Sequence, residues 1–382
     1  MPRTAAHART LRDVLPSVYE SLLSDVFDRP EIVESRATCS DCAMCDKGQE
    51  KPIGLEHFLP DTKCCTFHPT LPNYLVGGLL SDTSGDVEEG KRRMRERIAS
   101  RIGVTPQWVA PPKKMILFTA AARDSGFFGR SRAYVCPYYD PEGAGRCTIW
   151  KHREVVCTTY FCRYVGGKPA WEFWKALRDY MGFVEMGLSS YLVSTIDPKL
   201  AEPKVGRAQL TIEDLEDRAP NDEAYAKCWS KWVGREEEVY VACAEKVRSI
   251  RREEFAHNID SSPKGRELLA NVATSYENIG KETLPERLVR NPRIKPYPTQ
   301  GKVVVTTYNT CDPISVDQDL YDALGLLMPD QPLDQSLARL EKEQGVELAP
   351  DLLRYLFVHG VLVAPAAQAE AAESKQAGGA HG

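Results

Sequence analysis

The chain has 382 residues, 42% of them apolar, enough for two or three domains with ordinary hydrophobic cores and too apolar for a disordered protein. Its 49 basic and 54 acidic residues leave a net charge of -5, so no global positive field exists to recruit nucleic acid or an anionic membrane. No apolar run approaches the ~20 residues that span a bilayer, and Met1 to Leu15 lacks the apolar stretch of a secretory signal. The expected location is therefore cytoplasmic, with no membrane partner. In that reducing compartment the twelve cysteines are expected as thiols rather than disulfides, and their crowding into short intervals makes metal ligation the leading explanation.

In chain order, Leu11, Leu15, Val18, Leu22 and Val26 have the spacing of one helical face, with Pro16 in a first turn and Pro30 as a stop. A second helix is predicted from Asp86 to Gly103, with Glu88 and Glu89 four residues before Arg92 and Arg93 on a solvated, ion-paired face. Lys114 to Ala120, Ala133 to Tyr138 and Cys147 to Lys151 read as short strands, and Asp124 to Arg130 as a glycine-containing loop. Pro169 opens a helix whose Trp171, Trp174, Leu177, Met181, Val184 and Leu188 form one apolar stripe. Further helices are predicted around Tyr225 to Val233 and Glu236 to Phe255, and Pro285, Pro292, Pro296 and Pro298 mark a stiff linker.

Cys39, Cys42 and Cys45 form a C-x2-C-x2-C run, which converges three sulfurs from one tight loop as either zinc or a cubane iron–sulfur cluster requires. Cys64 and Cys65 follow after eighteen residues. Adjacent side chains diverge in extended backbone, so this pair supplies one ligand, or ligands to neighbouring ions. Cys136, Cys147, Cys157 and Cys162 fall within 27 positions, by count one full tetrahedral set. Seven to nine thiolates exceed the four of a single site, so two centres or one multinuclear site are expected. The C-x2-C-x2-C arm is one ligand short of four, so the early and late cysteine groups are expected to meet. His57, His68 and His152 are near enough in sequence to act as alternates, although a lone histidine is usually an ordinary hydrogen-bonded residue. Cys228, on a stripe with Tyr225, Trp229 and Trp232, and Cys243, beside Val239 and Val247, read as small buried hydrophobes. Cys311, at the end of a predicted strand, is open to either reading.

The second cysteine group is set in the string Cys136-Pro137-Tyr138-Tyr139, then Cys147-Thr148-Ile149-Trp150, Arg153, Cys157 and Phe161-Cys162. With Cys39, Cys42 and Cys45 before it, this string resembles the YkgJ-type cysteine-cluster family of zinc- or iron-chelating domains, over roughly residues 39 to 190. A more distant similarity is to the flagellin lysine methylases, which also combine an early and a later cysteine group. Two positions depart from the family pattern: Asp46 stands where a fourth adjacent cysteine is usual, and Glu154 where a proline usually follows the arginine. The resemblance implies metal binding, with Cys64 or Cys65 expected in place of the absent thiolate. Arg153 and Arg163, inside or just after the string, would balance an all-thiolate centre by donating hydrogen bonds to sulfur.

Lys302 to Val363 reads as a strand, three short helices stopped by Gly345 and Gly360, and a last strand. That order is winged-helix-like and is similar to the PqqD-like peptide-recognition modules. From Val316 to Val363 nine acids face three bases, which argues against nucleic acid and for a protein or peptide partner, with Val303 to Tyr308 as a candidate strand for edge addition. Gly166-Gly167-Lys168 lacks the rest of a phosphate loop, and no nucleotide-fold, hydrolase or metalloprotease motif occurs.

The expected architecture is α+β, mainly helical: a cysteine-cluster metal-binding domain over 1–297, a winged-helix-like domain over 298–363 and a disordered tail over 364–382. The expected function is that of a cysteine-ligated metalloprotein holding zinc or an iron–sulfur cluster. The alternative is an iron–sulfur or metal-dependent enzyme that modifies a protein or peptide presented by the C-terminal domain.

Overall fold

The computed structural model describes residues 9–48, 57–122, 126–142, 145–201 and 211–365. In chain order its elements are β1 (Leu71–Pro72), α1 (Asn73–Ser81), α2 (Glu88–Ser100), β2 (Trp108–Val109), α3 (Lys113–Ala121), β3 (Tyr139–Asp140), β4 (Arg146–Cys147), α4 (Val155–Thr159) and α5 (Gly167–Ile196). They continue with α6 (Pro198–Ala201), α7 (Ile212–Leu215), α8 (Asp222–Trp229), α9 (Glu236–Arg248), α10 (Arg252–Phe255), α11 (Pro263–Asn278), β5 (Val289–Arg290), β6 (Lys295–Thr299) and β7 (Lys302–Thr306). The last are β8 (Ile314–Asp317), α12 (Gln318–Ala323), α13 (Leu333–Gln344), α14 (Pro350–Val358) and β9 (Leu362–Val363). The class is mixed α+β and mainly helical, as expected. No helix among the described residues is long and apolar enough to cross a membrane.

Two compact units form, and each is discontinuous in sequence: 1–33, 57–160 and 175–273 make the first, and 34–56, 161–174 and 274–382 the second. These units do not follow the single boundary at residue 297 drawn from the proline-rich stretch. The arm carrying Cys39 to Cys45 belongs to the second unit, and so does Cys162.

In the first unit the stripe of α5 is core, with Leu177, Met181 and Val184 fully buried. Helix α1, which has no polar face to announce it, is buried from Asn73 to Leu80 and packs along α9. Gly77 makes that approach possible, because a Cβ there would lie 1.8 Å from the Tyr240 carbonyl oxygen. On α2, Glu89 pairs with both Arg92 and Arg93, giving the ion-paired face predicted for it, although the helix stops at Ser100 with Arg101 in the left-handed conformation.

Several local expectations are overturned. The predicted helix over Leu11 to Val26 is instead three short 3-10 turns, Leu11–Val14, Ser17–Tyr19 and Asp25–Asp28. Leu15 is extended because the ring of Pro16 disfavours a helical residue before it. Tyr19, Leu23 and Phe27 fill the core alongside Leu11 and Leu22. Lys114 to Ala120 is helix α3 rather than a strand, started by the extended Pro112. Ala133 to Tyr138 contains a 3-10 turn, and of Cys147 to Lys151 only Cys147 lies in a strand. Of the predicted loop at Asp124 to Arg130, residues 124 and 125 lie outside the described residues, and 126–130 are turns and coil.

In the second unit, β6, β7 and β8 form an antiparallel sheet in that order, and β5 pairs with β9. Val303, Val305, Ile314, Val316, Leu324, Leu340, Leu353 and Leu356 build its core. The proline-rich stretch is not simply a linker. Pro296 and Pro298 sit in β6, at a sheet edge where a missing N–H is tolerated. Strand β7 has a neighbour on both sides, so the expected strand addition to Val303 to Tyr308 has no open edge to use. The three predicted helices are present, with Gly345 in the left-handed conformation after α13. Of the predicted disordered tail over 364–382, residues 366–382 lie outside the described residues.

Candidate functional site

All twelve cysteines are described, and no disulfide joins any of them. The first unit gathers Cys64, Cys65, Cys136, Cys147 and Cys157. Lys63, in the left-handed conformation, turns the chain just before the Cys64–Cys65 pair. The Cys136 N–H donates to the Cys65 carbonyl at 2.9 Å, so the pair and the later string, far apart in sequence, meet along the backbone. Cys147 lies in β4 opposite Tyr139 of β3, a hairpin tightened by Thr148, whose N–H and hydroxyl both donate to the Tyr138 carbonyl.

Cys157 is carried by α4. Glu154 caps that helix, accepting from the Val156 N–H at 2.7 Å and the Cys157 N–H at 2.8 Å. Glu154 is thus a working helix cap. The next N–H, of Val155, donates to Glu185 Oε1, which also accepts from the Tyr19 hydroxyl. Glu154 and Glu185, both buried, are residues that sequence reasoning missed. The capping position of Glu154 was visible in principle, and the contact of Glu185 from α5 was not.

The electrostatics tie the later thiols together. Burial pushes Cys136 up to about 12, with a further push from Cys147. Cys157 is raised well above the ordinary thiol value, first by burial, then by Glu154, and also by Cys136 and Cys147. Cys64 is raised by its hydrogen bond with Cys65 and by burial. Cys64, Cys136 and Cys157 are thus held as neutral thiols, and a bound cation is what would reverse that cost. Arg153 stacks on the Trp150 ring, with Cζ 3.4 Å from its centroid, and donates to the carbonyls of Trp150 and Cys157. His68 Nε2 bonds the Val135 carbonyl and His152 Nε2 bonds Asp82, ordinary roles for both.

The second unit holds Cys39, Cys42, Cys45, Cys162 and Cys311. Cys39 is exposed and the other four are half-buried. The arm is a turn closed by the Cys45 N–H to the Cys42 carbonyl. Asp46 closes its own turn by accepting from the Gly48 N–H. Arg163 donates to the Ala43 carbonyl inside the arm, while its Nε is buried with no hydrogen-bond partner among the described residues. Arg36 anchors the start of the arm on the fully buried Asp312 at 2.6 Å, which also accepts from the Tyr308 hydroxyl. Asn309 bridges two cysteines, donating to the Cys162 carbonyl and accepting from the Cys311 N–H. Cys311, undecided in the sequence, therefore belongs beside Cys162. Cys243 is buried in α9, as a small hydrophobe.

Soft thiolates suit zinc and iron–sulfur centres, so the donor chemistry fits such a group in both units. The arrangement does not yet make a coordination sphere, because among the described residues no three His, Cys, Asp or Glu side chains are grouped to hold a metal ion. In comparison with known proteins, the chain matches no family model, no curated protein and no solved structure.

Proposed function

We propose that this chain is a cysteine-ligated metalloprotein that binds zinc or an iron–sulfur cluster through two groups of thiolates, one in each unit. The observation that carries the reading is the backbone meeting of Cys65 with Cys136, with Cys147 near enough to add its charge to both Cys136 and Cys157. In the first unit Cys136, Cys147 and Cys157 would supply three ligands and Cys64 or Cys65 the fourth. In the second the C-x2-C-x2-C arm would supply three and Cys162 the fourth. Arg163 Nε, with no partner among the described residues, is a donor available to an anionic centre there. The similarity to the YkgJ-type family adds to this reading and rests on the motif residues themselves.

Bound metal would crosslink segments remote in sequence, and the chain's own part is to hold the thiols in place and exclude water from them. Residues 298–363 we read as winged-helix-like and as contacting a protein or peptide partner through their acidic surface, by a route other than strand addition to β7. Serine substitution of Cys136, Cys147 and Cys157 together should remove about half of the bound metal, with Cys243→Ser leaving the content unchanged. Equal metal content in all these variants would refute the assignment of ligands in the first unit.

A further inference from the structure

A cavity of about 580 Å³ opens in the first unit, walled by the turn at Ser17–Tyr19, α1, the turn at Trp150–His152 and the end of α9. Its volume is in the range of small-molecule sites. Glu20, Tyr74, Gly78, Lys151, His152 and Arg248 reach its wall, and none of them is a thiolate or needed by the metal reading.

The polar groups on this wall are oriented. Asp82 accepts from the Ser84 hydroxyl at 2.6 Å, from the Ser84 N–H at 2.9 Å and stands 2.9 Å from His152 Nε2. These donors hold Asp82 well below the usual carboxylate range, the Ser84 hydroxyl first among them. An ionised Asp82 fixes the imidazole proton on Nε2, which leaves the lone pair on Nδ1. Burial lowers the pKa of His152, keeping the ring in that neutral form. Nδ1 faces Gly78, where an added Cβ would sit 3.2 Å away. The glycine therefore leaves the acceptor uncovered at the cavity wall.

The cationic side is equally specific. Lys151 is steadied by Asp86 at 3.0 Å and by the Ser84 hydroxyl at 3.2 Å. Arg248 makes no hydrogen bond or ion pair among the described residues, yet it lies close enough to His152 to disfavour protonation of the ring. An unengaged guanidinium, a steadied ammonium and an imidazole acceptor thus share a cavity whose remaining wall includes the apolar Val18, Leu75 and Ala244. Guanidinium and ammonium groups select carboxylate or phosphate. The imidazole acceptor, with Glu20, selects a hydroxyl or amino hydrogen on the same ligand.

We propose that this cavity is a binding site for a small organic anion, a carboxylate or phosphate that also carries a hydroxyl or amino group, held by Arg248 and Lys151 with His152 Nδ1 accepting its hydrogen.

Isothermal titration of the full chain with malate, and separately with inorganic phosphate, tests this. Saturable one-site binding of either probe is expected, weakened roughly tenfold by Arg248→Ala through loss of a charge-assisted bond. Arg251→Ala, which removes an equal charge from a residue outside the cavity, should leave it unchanged. Malate binding strongly weakened by His152→Asn assigns a hydroxycarboxylate, and phosphate binding alone assigns the phosphate class; both support the site. Absence of binding by both probes, or equal losses in Arg248→Ala and Arg251→Ala, would overturn it. Arg248 is exposed at the end of α9, so its substitution leaves the fold intact.

Discussion

The two thiol groups are built in different ways. In the first unit, a hairpin, a capped helix and a backbone bond between distant segments position half-buried cysteines, with the helix start held by buried Glu154 and Glu185. In the second, a short loop with one exposed cysteine is fastened by the Arg36–Asp312 pair and by the Asn309 bridge. The first group is preorganised by packing, and the second by a few polar anchors. Core substitutions should therefore disturb the first, and single polar substitutions the second.

The largest expected effect falls on the packing of α1 against α9 in the first unit. Gly77→Ala forces a methyl into the Tyr240 carbonyl and should destabilise the first unit by about 3 kcal/mol, read as a lower midpoint in urea unfolding. Arg36→Ala should cost about 2–3 kcal/mol by stranding Asp312, tempered by the remaining donors to that carboxylate. Its signature is faster alkylation of Cys42 and Cys45 with unchanged Cys136 and Cys157. Uniform acceleration at all four would erase the distinction between the groups.

Glu154→Ala removes the cap of α4 and should cost about 1 kcal/mol, with faster alkylation confined to Cys157. Glu185 gives a smaller change at fixed pH and a diagnostic pH dependence. Burial, and then Glu154, raise its folded-state pKa well above the ordinary value. Between the unfolded and folded pKa values the native state holds more protons than the unfolded chain, so stability falls as pH rises through that window. Glu185→Gln should flatten the fall, and thermal melts at several pH values would show it. A wild-type curve rising with pH in that window, and unaltered by the substitution, would contradict the assignment.

How far the sequence reached depended on how local each signal was. The stripe from Trp174 to Leu188 was legible because a long helix buries one face at a fixed period. Leu11 to Val26 kept that spacing while Pro16 broke the backbone, so pattern and conformation disagreed. The run Met115 to Phe118 has no period, and apolar runs of that length do not separate strand from helix. Helix α1 carried no amphipathic signal because it is buried all round. Strand β6 was hidden by its own prolines, which an edge strand tolerates. At the site, the cysteine spacing named the thiols, and the family-like string named the later four. Glu185 and the Asn309 bridge to Cys311 depend on tertiary contacts that no spacing encodes.

The central claim is that these thiols hold metal. Anaerobic purification of the full chain, followed by metal analysis, a visible absorption spectrum and a count of reactive thiols before and after metal removal, tests it most directly. The account predicts stoichiometric zinc or iron, with most of the twelve thiols protected until the metal is stripped. Metal-free protein with all twelve thiols reactive in the folded state would contradict it.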